Sequence, residues 1–355
     1  MYPRVRVDLR KLEENARRLR SFLQDKGIET VAVTKVFGAD EHILDAYGRG
    51  GIKAFADARL KNLARIDPAR GSRLLLRIPM LEELDDVLSY ADCSLQSDLF
   101  TLTELNRRAR ARGLRHAILL MIDLGDLREG VFDKEELQSM ARAILKLDAI
   151  DWIGTGTNLT CYGGILPSEE NLTRLLELTT WLREETGLAL PVISAGNSSS
   201  LYLTHGDFPK GLNHLRIGEA LVLGTEAAYG QRFHSLHTDS FVLETQIVEC
   251  RRKPSVPIGE IGKNAFGETP EFQDKGERVR AIAAIGRQDV DPSDLVPTDP
   301  KIEILGASSD HMILDVTDSD TPYRTGDIVS FAMNYRAILR TFTSEYVDRV
   351  FEGAE

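Results

Sequence analysis

Between about residues 5 and 230 the chain alternates between two hydrophobic periods. Runs of small and β-branched residues at 28 to 34, 53 to 56, 73 to 78, 116 to 122, 150 to 156 and 191 to 194 read as strands, the first of them buried on both faces. Segments of helical period follow them, at 40 to 49, 57 to 66, 81 to 89, 134 to 147, 168 to 187 and about 198 to 204. Parallel strands need helical crossovers of this kind, and so many units predict an α/β fold, a closed (β/α)8 TIM barrel. An open doubly wound sheet is the competing architecture. In a barrel the strand C-terminal ends surround one mouth, and Lys35, Asp123, Asn158, Asn197 and Arg216 all fall at or just after such ends.

After about residue 235 the rhythm changes to short strands separated by Pro, Gly and Asp, at 240 to 250, 278 to 285, 302 to 306, 311 to 316 and 327 to 332. Pro254 and Pro257 remove ladder donors, so the segment 253 to 260 is no central strand. The expected division is a barrel over 1–235 and a C-terminal, mostly β domain over 236–355. The N-terminal helix, about 9 to 26, belongs either to the barrel wall or to packing across domains.

A chain of 355 residues suits two domains, and none of its windows approaches the roughly 20 apolar residues that span a bilayer. The N-terminus runs straight into a charged amphipathic stretch without the apolar core of a secretion signal, so a cytoplasmic protein is expected. Cys93, Cys161 and Cys250 are scattered and odd in number, which fits a reducing compartment and offers no zinc spacing. A net charge of −11 disfavours nucleic acid or anionic membrane as the main partner and leaves a small molecule.

Four segments carry candidate chemistry. Lys35 ends a β-branched run before Gly38; burial there lowers an amine's pKa and lets it attack an aldehyde, while the plain alternative is a lysine that snorkels to water. Arg128 lies in a glycine-flanked loop after an apolar strand and either binds a carboxylate through two parallel bonds or pairs with Asp123 or Asp126. The turn Gly196, Asn197, Ser198, Ser199, Ser200 opens a helix and favours a phosphate monoester, beyond what a serine N-cap needs. Arg216 heads an apolar segment with Gly218 and Glu219, as a domain-interface cation or as one that keeps a neighbouring heteroaromatic nitrogen unprotonated.

Together these segments resemble the alanine racemase type of barrel-fold (fold type III) pyridoxal phosphate enzymes. The order is lysine on the first barrel strand, Asp-x-Gly-x-x-Arg-x-Gly in mid-barrel, Asn-Ser, then Arg-x-Gly. The strings VTKVFG, DLGDLREG, GTNLTCYGG, GNSSSLY, PSVPIGEIG and AIGRQDVD resemble the branch of ornithine and related amino-acid racemases, over nearly the whole chain. The resemblance implies pyridoxal 5'-phosphate as cofactor, Lys35 as Schiff-base lysine and proton carrier, and Arg128 at the cofactor's phenolic oxygen and the substrate carboxylate. It implies Asn197, Ser198, Gly218 and Glu219 around the phosphate and Arg216 at the pyridine nitrogen. It also implies racemisation through an external aldimine with proton transfer on two faces, and a homodimer.

Two departures matter. Arg287 stands where alanine racemases carry a tyrosine base, and an arginine with a pKa above about 12 is an implausible base. Candidates for the opposite-face proton are Cys161, ranked first, then His311 and Tyr335. Met121 stands where some relatives prop the arginine with a modified lysine, so Asp123 or Asp126 is expected to hold Arg128 instead. Asp289 or Asp291 is expected to select a cationic side chain such as that of ornithine, against a plain reading as turn formers. Rival functions are a lyase of the D-threonine aldolase or D-serine dehydratase kind, a non-catalytic carrier of the cofactor, and a sugar-phosphate barrel enzyme.

Overall fold

A parallel sheet leaves two unpaired edges unless it closes on itself, and here it closes. The computed structural model describes residues 1–233, 236–263, 266–267 and 269–353, which fall into two units, Leu9–Thr238 and Met1–Asp8 with Asp239–Glu355. The chain opens with β1 (Arg4–Asp8), part of the second unit, where the sequence placed these residues in the barrel. Eight barrel strands follow: β2 (Glu29–Val33), β3 (Ala54–Asp57), β4 (Ser72–Leu75), β5 (Cys93–Gln96), β6 (His116–Met121), β7 (Ile150–Thr157), β8 (Val192–Ala195) and β9 (His214–Ile217). Each pairs with the next, and β2 pairs with β9 to close the ring, setting Val31 beside Arg216.

Alternate positions of the strands build the interior. Val31 and Val33 of β2, Ala54 and Ala56 of β3, Leu74, Leu95, Leu119 and Met121 form one buried cluster, as period-2 strands in a small closed sheet require. The helix Leu9–Gln24 lies in the barrel unit; Asn15, fully buried on it, donates to the carbonyls of Leu221 and His237. The sequence missed β5 and the helix Leu99–Ala111 behind it: Cys-Ser-Leu-Gln carries no β-branched residue, so a four-residue strand left no periodic signal.

The second unit is an antiparallel sheet of β10 (Phe241–Pro254), β11 (Glu277–Ala283), β12 (Leu295–Pro297), β13 (Glu303–Ala307), β14 (Met312–Asp315) and β15 (Ile328–Met333), in the order β12-β15-β10-β11-β14-β13. β1 pairs with β10 and, in parallel, with β16 (Asp348–Glu352). β10 serves two neighbourhoods by bulging between Ile247 and Glu249: its first half pairs with β15, its second with β11. Pro254 is its last residue, which is where a missing donor costs least. No helix among the described residues is long and apolar enough to cross a membrane.

Closure of β7 on β8 depends on Gly154, because a Cβ there would lie 1.9 Å from the carbonyl oxygen of Val192. Gly154→Ala is expected to lower unfolding free energy by about 3 kcal/mol. Gly48→Ala, in the helix Glu41–Arg49 with open space around it, should instead gain a few tenths to about 1 kcal/mol. Denaturant titration of the two variants checks the contrast.

Candidate active site

β2 ends at Val33, and Thr34 caps a single 3-10 turn, Lys35–Phe37, closed by Gly38 in the left-handed region at φ 61°. Thr34 Oγ1 donates to Asp57 Oδ2 at 2.6 Å, so the carboxylate ending β3 fixes the segment that presents Lys35. Asp57 also accepts from the Arg59 amide at 2.8 Å and Asn62 Nδ2 at 3.1 Å; burial raises its pKa and these donors oppose the rise. Lys35 itself is exposed. The expected burial of its amine is corrected: the strand stops two residues earlier, so the side chain departs from the rim and not from the packed wall.

Arg216 on β9 is 3 % exposed. Its Nη2 donates to the Thr157 carbonyl at 2.7 Å and its Nη1 to Ser194 Oγ. The Ser194 hydroxyl, which accepts from Arg216, also lies 2.8 Å from His214 Nδ1. Burial lowers Arg216 to about 10, with Arg128 lowering it further and Glu129 and Cys161 working against that, so it stays charged at neutral pH.

The loop after β6 is pinned at both ends. Asp123 Oδ1 accepts from the Gly125 and Leu127 amides at 2.8 and 3.1 Å, and the Val131 amide returns to the Met121 carbonyl at 2.9 Å. Gly130, at φ 132°, passes so close to Asp123 that a Cβ would lie 2.5 Å from its amide nitrogen. Arg128 donates through Nε and Nη2 to both oxygens of Glu129, the second bond at 2.5 Å. Glu129 therefore holds Arg128, and the expectation of Asp123 or Asp126 is corrected. Both aspartates are spent on backbone: Asp126, 1 % exposed, accepts from the Tyr162 and Ile165 amides at 3.0 and 3.2 Å and ties the Arg128 loop to the Cys161 loop.

Cys161 is exposed, with Sγ 3.5 Å from Asn197 Nδ2. That amide also donates to the Leu159 carbonyl at 3.0 Å and Asn158 Oδ1 at 3.2 Å, while Asn197 Oδ1 accepts from the Ser199 amide at 2.8 Å. Ser198 Oγ accepts from the amides of Gly218 and Ala220, each at 3.3 Å, and Glu219 accepts from Thr225 while burial raises its pKa. Thr157 Oγ1, Asn158 Nδ2 and Ser199 Oγ are buried at these same strand ends with no partner among the described residues. Unpaired buried polar atoms are costly, so their concentration here suits a bound group rich in oxygen and nitrogen.

A family model described as the alanine racemase N-terminal domain matches residues 7–226. The chain belongs to this family. Over 98 % of this alanine racemase-family chain and 99 % of the relative, it is 47 % identical to an ornithine racemase of Acetoanaerobium sticklandii. It is 38 % identical to a lysine racemase of Thermotoga maritima, over 99 % of both. The fold matches an alanine racemase from Bartonella henselae with covalently bound pyridoxal phosphate, with a TM-score of 0.75, 19 % identity, and coverage of 98 % and 99 % of the two chains. An alanine racemase from Streptomyces lavendulae gives the same TM-score at 17 % identity, over 100 % and 98 %.

The remaining candidates lie in the second unit. Asp289 is buried and accepts from Ser344 Oγ at 2.6 Å, and Asp291 caps the turn Pro292–Asp294 through the Ser293 amide, so Asp291 acts as a turn former and Asp289 is tied to a distant hydroxyl. His311 is exposed beside Asp310 at 3.1 Å. Tyr335 opens the helix Tyr335–Thr343, and Arg287 stacks on Phe266 at 4.6 Å. Sequence reasoning missed Asp57, Glu129, Ser194 and His214, although Asp57 and Ser194 are polar residues near the ends of otherwise apolar barrel strands, a signal it could have used.

His214 and His116 are buried and pushed down to about 3 and about 4. The unfolded chain protonates them near 6.5, so the native state loses stability as pH falls below that value and has all of it above. Between pH 6.5 and 5 the loss should reach about 1.5 kcal/mol per histidine. Unfolding titrations of His116→Asn across that window should show a correspondingly shallower fall than the parent protein.

Proposed function

We propose that this protein is a pyridoxal 5'-phosphate-dependent amino-acid racemase, an isomerase that interconverts the L and D forms of ornithine or another basic amino acid. The reading is carried by the near full-length identity of 47 % with an ornithine racemase, and the lysine racemase at 38 % points to the same substrate class. The barrel mouth fits the cofactor: a lysine at the rim, a buried arginine still charged at neutral pH, and buried oxygen and nitrogen atoms awaiting partners.

Lys35 would hold the cofactor through its amine, and Asn197, Ser198 and the backbone at Gly218 and Glu219 would surround its phosphate. Bound pyridoxal phosphate withdraws electrons from the α-carbon of an attached amino acid and so makes its proton removable. Arg216, anchored by Ser194 and Thr157, brings a fixed positive charge that opposes protonation of a nearby ring nitrogen. Arg128 offers its guanidinium to the α-carboxylate. Lys35 and Cys161 then serve as proton carriers for opposite faces; the Cys161 loop is tied to the Arg128 loop through Asp126, which favours the thiol for this role over His311. We further propose that the protein works as a homodimer in the cytoplasm.

Holoenzyme given a single enantiomer of ornithine, lysine, alanine or serine should generate the mirror form of ornithine or lysine fastest, followed by optical rotation. Cys161→Ala should lower racemisation about 100-fold or more. One enantiomer should still exchange its α-hydrogen for solvent deuterium through Lys35. Racemisation at a near-parental rate would remove Cys161 from the scheme, and loss of visible absorbance in Lys35→Ala checks the attachment.

A further inference from the structure

The geometry points to Glu129 as the residue that selects a substrate with a cationic side chain, by sharing the Arg128 guanidinium with the substrate carboxylate. This rests on the racemase reading above and names how that site would tell ornithine from an uncharged amino acid.

Glu129 fills the open position of the Asp-x-Gly-x-x-Arg-x-Gly pattern. It covers one hydrogen-bonding edge of Arg128 with both carboxylate oxygens. The pair is placed by its backbone, since Asp123 pins the Gly125 and Leu127 amides and Gly130 admits no side chain. Glu129's side chain is 17 % exposed and Arg128's 40 %, so the carboxylate is the more sheltered of the two. Glu129 also raises the pKa of Arg216, so its charge reaches the interior of the same mouth. Asp126, the other acid near Arg128, has both oxygens committed to backbone amides.

A substrate carboxylate bound at Arg128 either displaces Glu129 or takes the neighbouring edge. In the first case Glu129 is left beside the incoming carboxylate without its cation, in the second the two carboxylates share one guanidinium, and in either the like charges are close and repel. An amino acid with an uncharged side chain leaves that repulsion standing. A terminal ammonium removes it by pairing with Glu129, and in ornithine it lies roughly 6 Å from the carboxylate, about the spacing of two carboxylates on adjacent guanidinium edges. The selection is therefore an exchange of ion pairs in which the side-chain ammonium of a dibasic amino acid offers Glu129 a replacement cation and alanine offers none.

The test compares ornithine with 2-aminopentanoate, which has the same carbon chain without the terminal amine, on the parent holoenzyme and on Glu129→Gln. The ratio of their kcat/KM values should fall about 10- to 100-fold in the variant, chiefly through KM for ornithine. Binding is read separately with α-methylornithine and 2-amino-2-methylpentanoate, which have no α-hydrogen to exchange, from the shift of the visible cofactor band; the ratio of their dissociation constants should collapse by the same factor. Glu129→Asp, which keeps the charge, should keep the preference for ornithine. An unchanged ratio, whether because both substrates suffer equally or because neither suffers, overturns the proposal and leaves Glu129 as a prop for Arg128. A parent holoenzyme that racemises no amino acid overturns the underlying reading instead.

Discussion

One buried guanidinium organises the barrel. Taking a cation out of water costs several kcal/mol unless hydrogen bonds replace the solvent, and Arg216 meets that demand with a carbonyl at the end of β7 and a hydroxyl on β8. The polar residues interrupting these strands follow from it. Ser194 accepts from Arg216 while lying against His214, and Gly156 keeps the space beside them open, since a Cβ there would stand 3.1 Å from Met121 Sδ and 3.3 Å from Ser194 Cβ. The register that closes the ring, Val31 against Arg216, then sets the strand leading to Lys35 beside the strand that carries the cation.

A fixed cation in the wall makes the mouth attractive to anions, and the chain answers with a graded set of counter-charges. Glu129 sits on Arg128 and raises the pKa of Arg216 at longer range. The carboxylates deeper in the loops, Asp123 and Asp126, do not compete, because backbone amides hold them. The division separates acids that build loops from the acid left beside the Arg128 guanidinium.

Much of the fold was legible because barrel strands buried on both faces write continuous apolar runs, and the chemistry was legible because barrel geometry gathers strand ends. Lys35, Arg128, Asn197, Ser198 and Arg216 stand out by their places at or after strand ends, and the roles expected of them come from the family resemblance. What escaped was decided by local backbone geometry. The partner of Arg128 depends on how the loop turns at Leu127, φ 54°, and Gly130, and no spacing rule distinguishes a neighbouring glutamate from an aspartate two or five residues back. β5, β12 and β16 are too short or lie at edges, and β1 joins a strand more than 230 residues away, so neither period nor proximity marks them.

The same backbone bonds explain how exposed groups at a rim can hold a fixed geometry. Arg128, Cys161 and Asn197 come from three loops after three strands, and loops are ordinarily the most mobile parts of a barrel. Here Asp126 crosslinks the first loop to the second through two amides, and Asn197 crosslinks the second to the third through the Leu159 carbonyl and Asn158. Each crosslink is a side chain satisfying backbone or amide groups of another loop, so displacing one loop leaves polar groups unpaired on its neighbour. The guanidinium and the thiol are thereby held to one framework by hydrogen bonds from side chains of neighbouring loops.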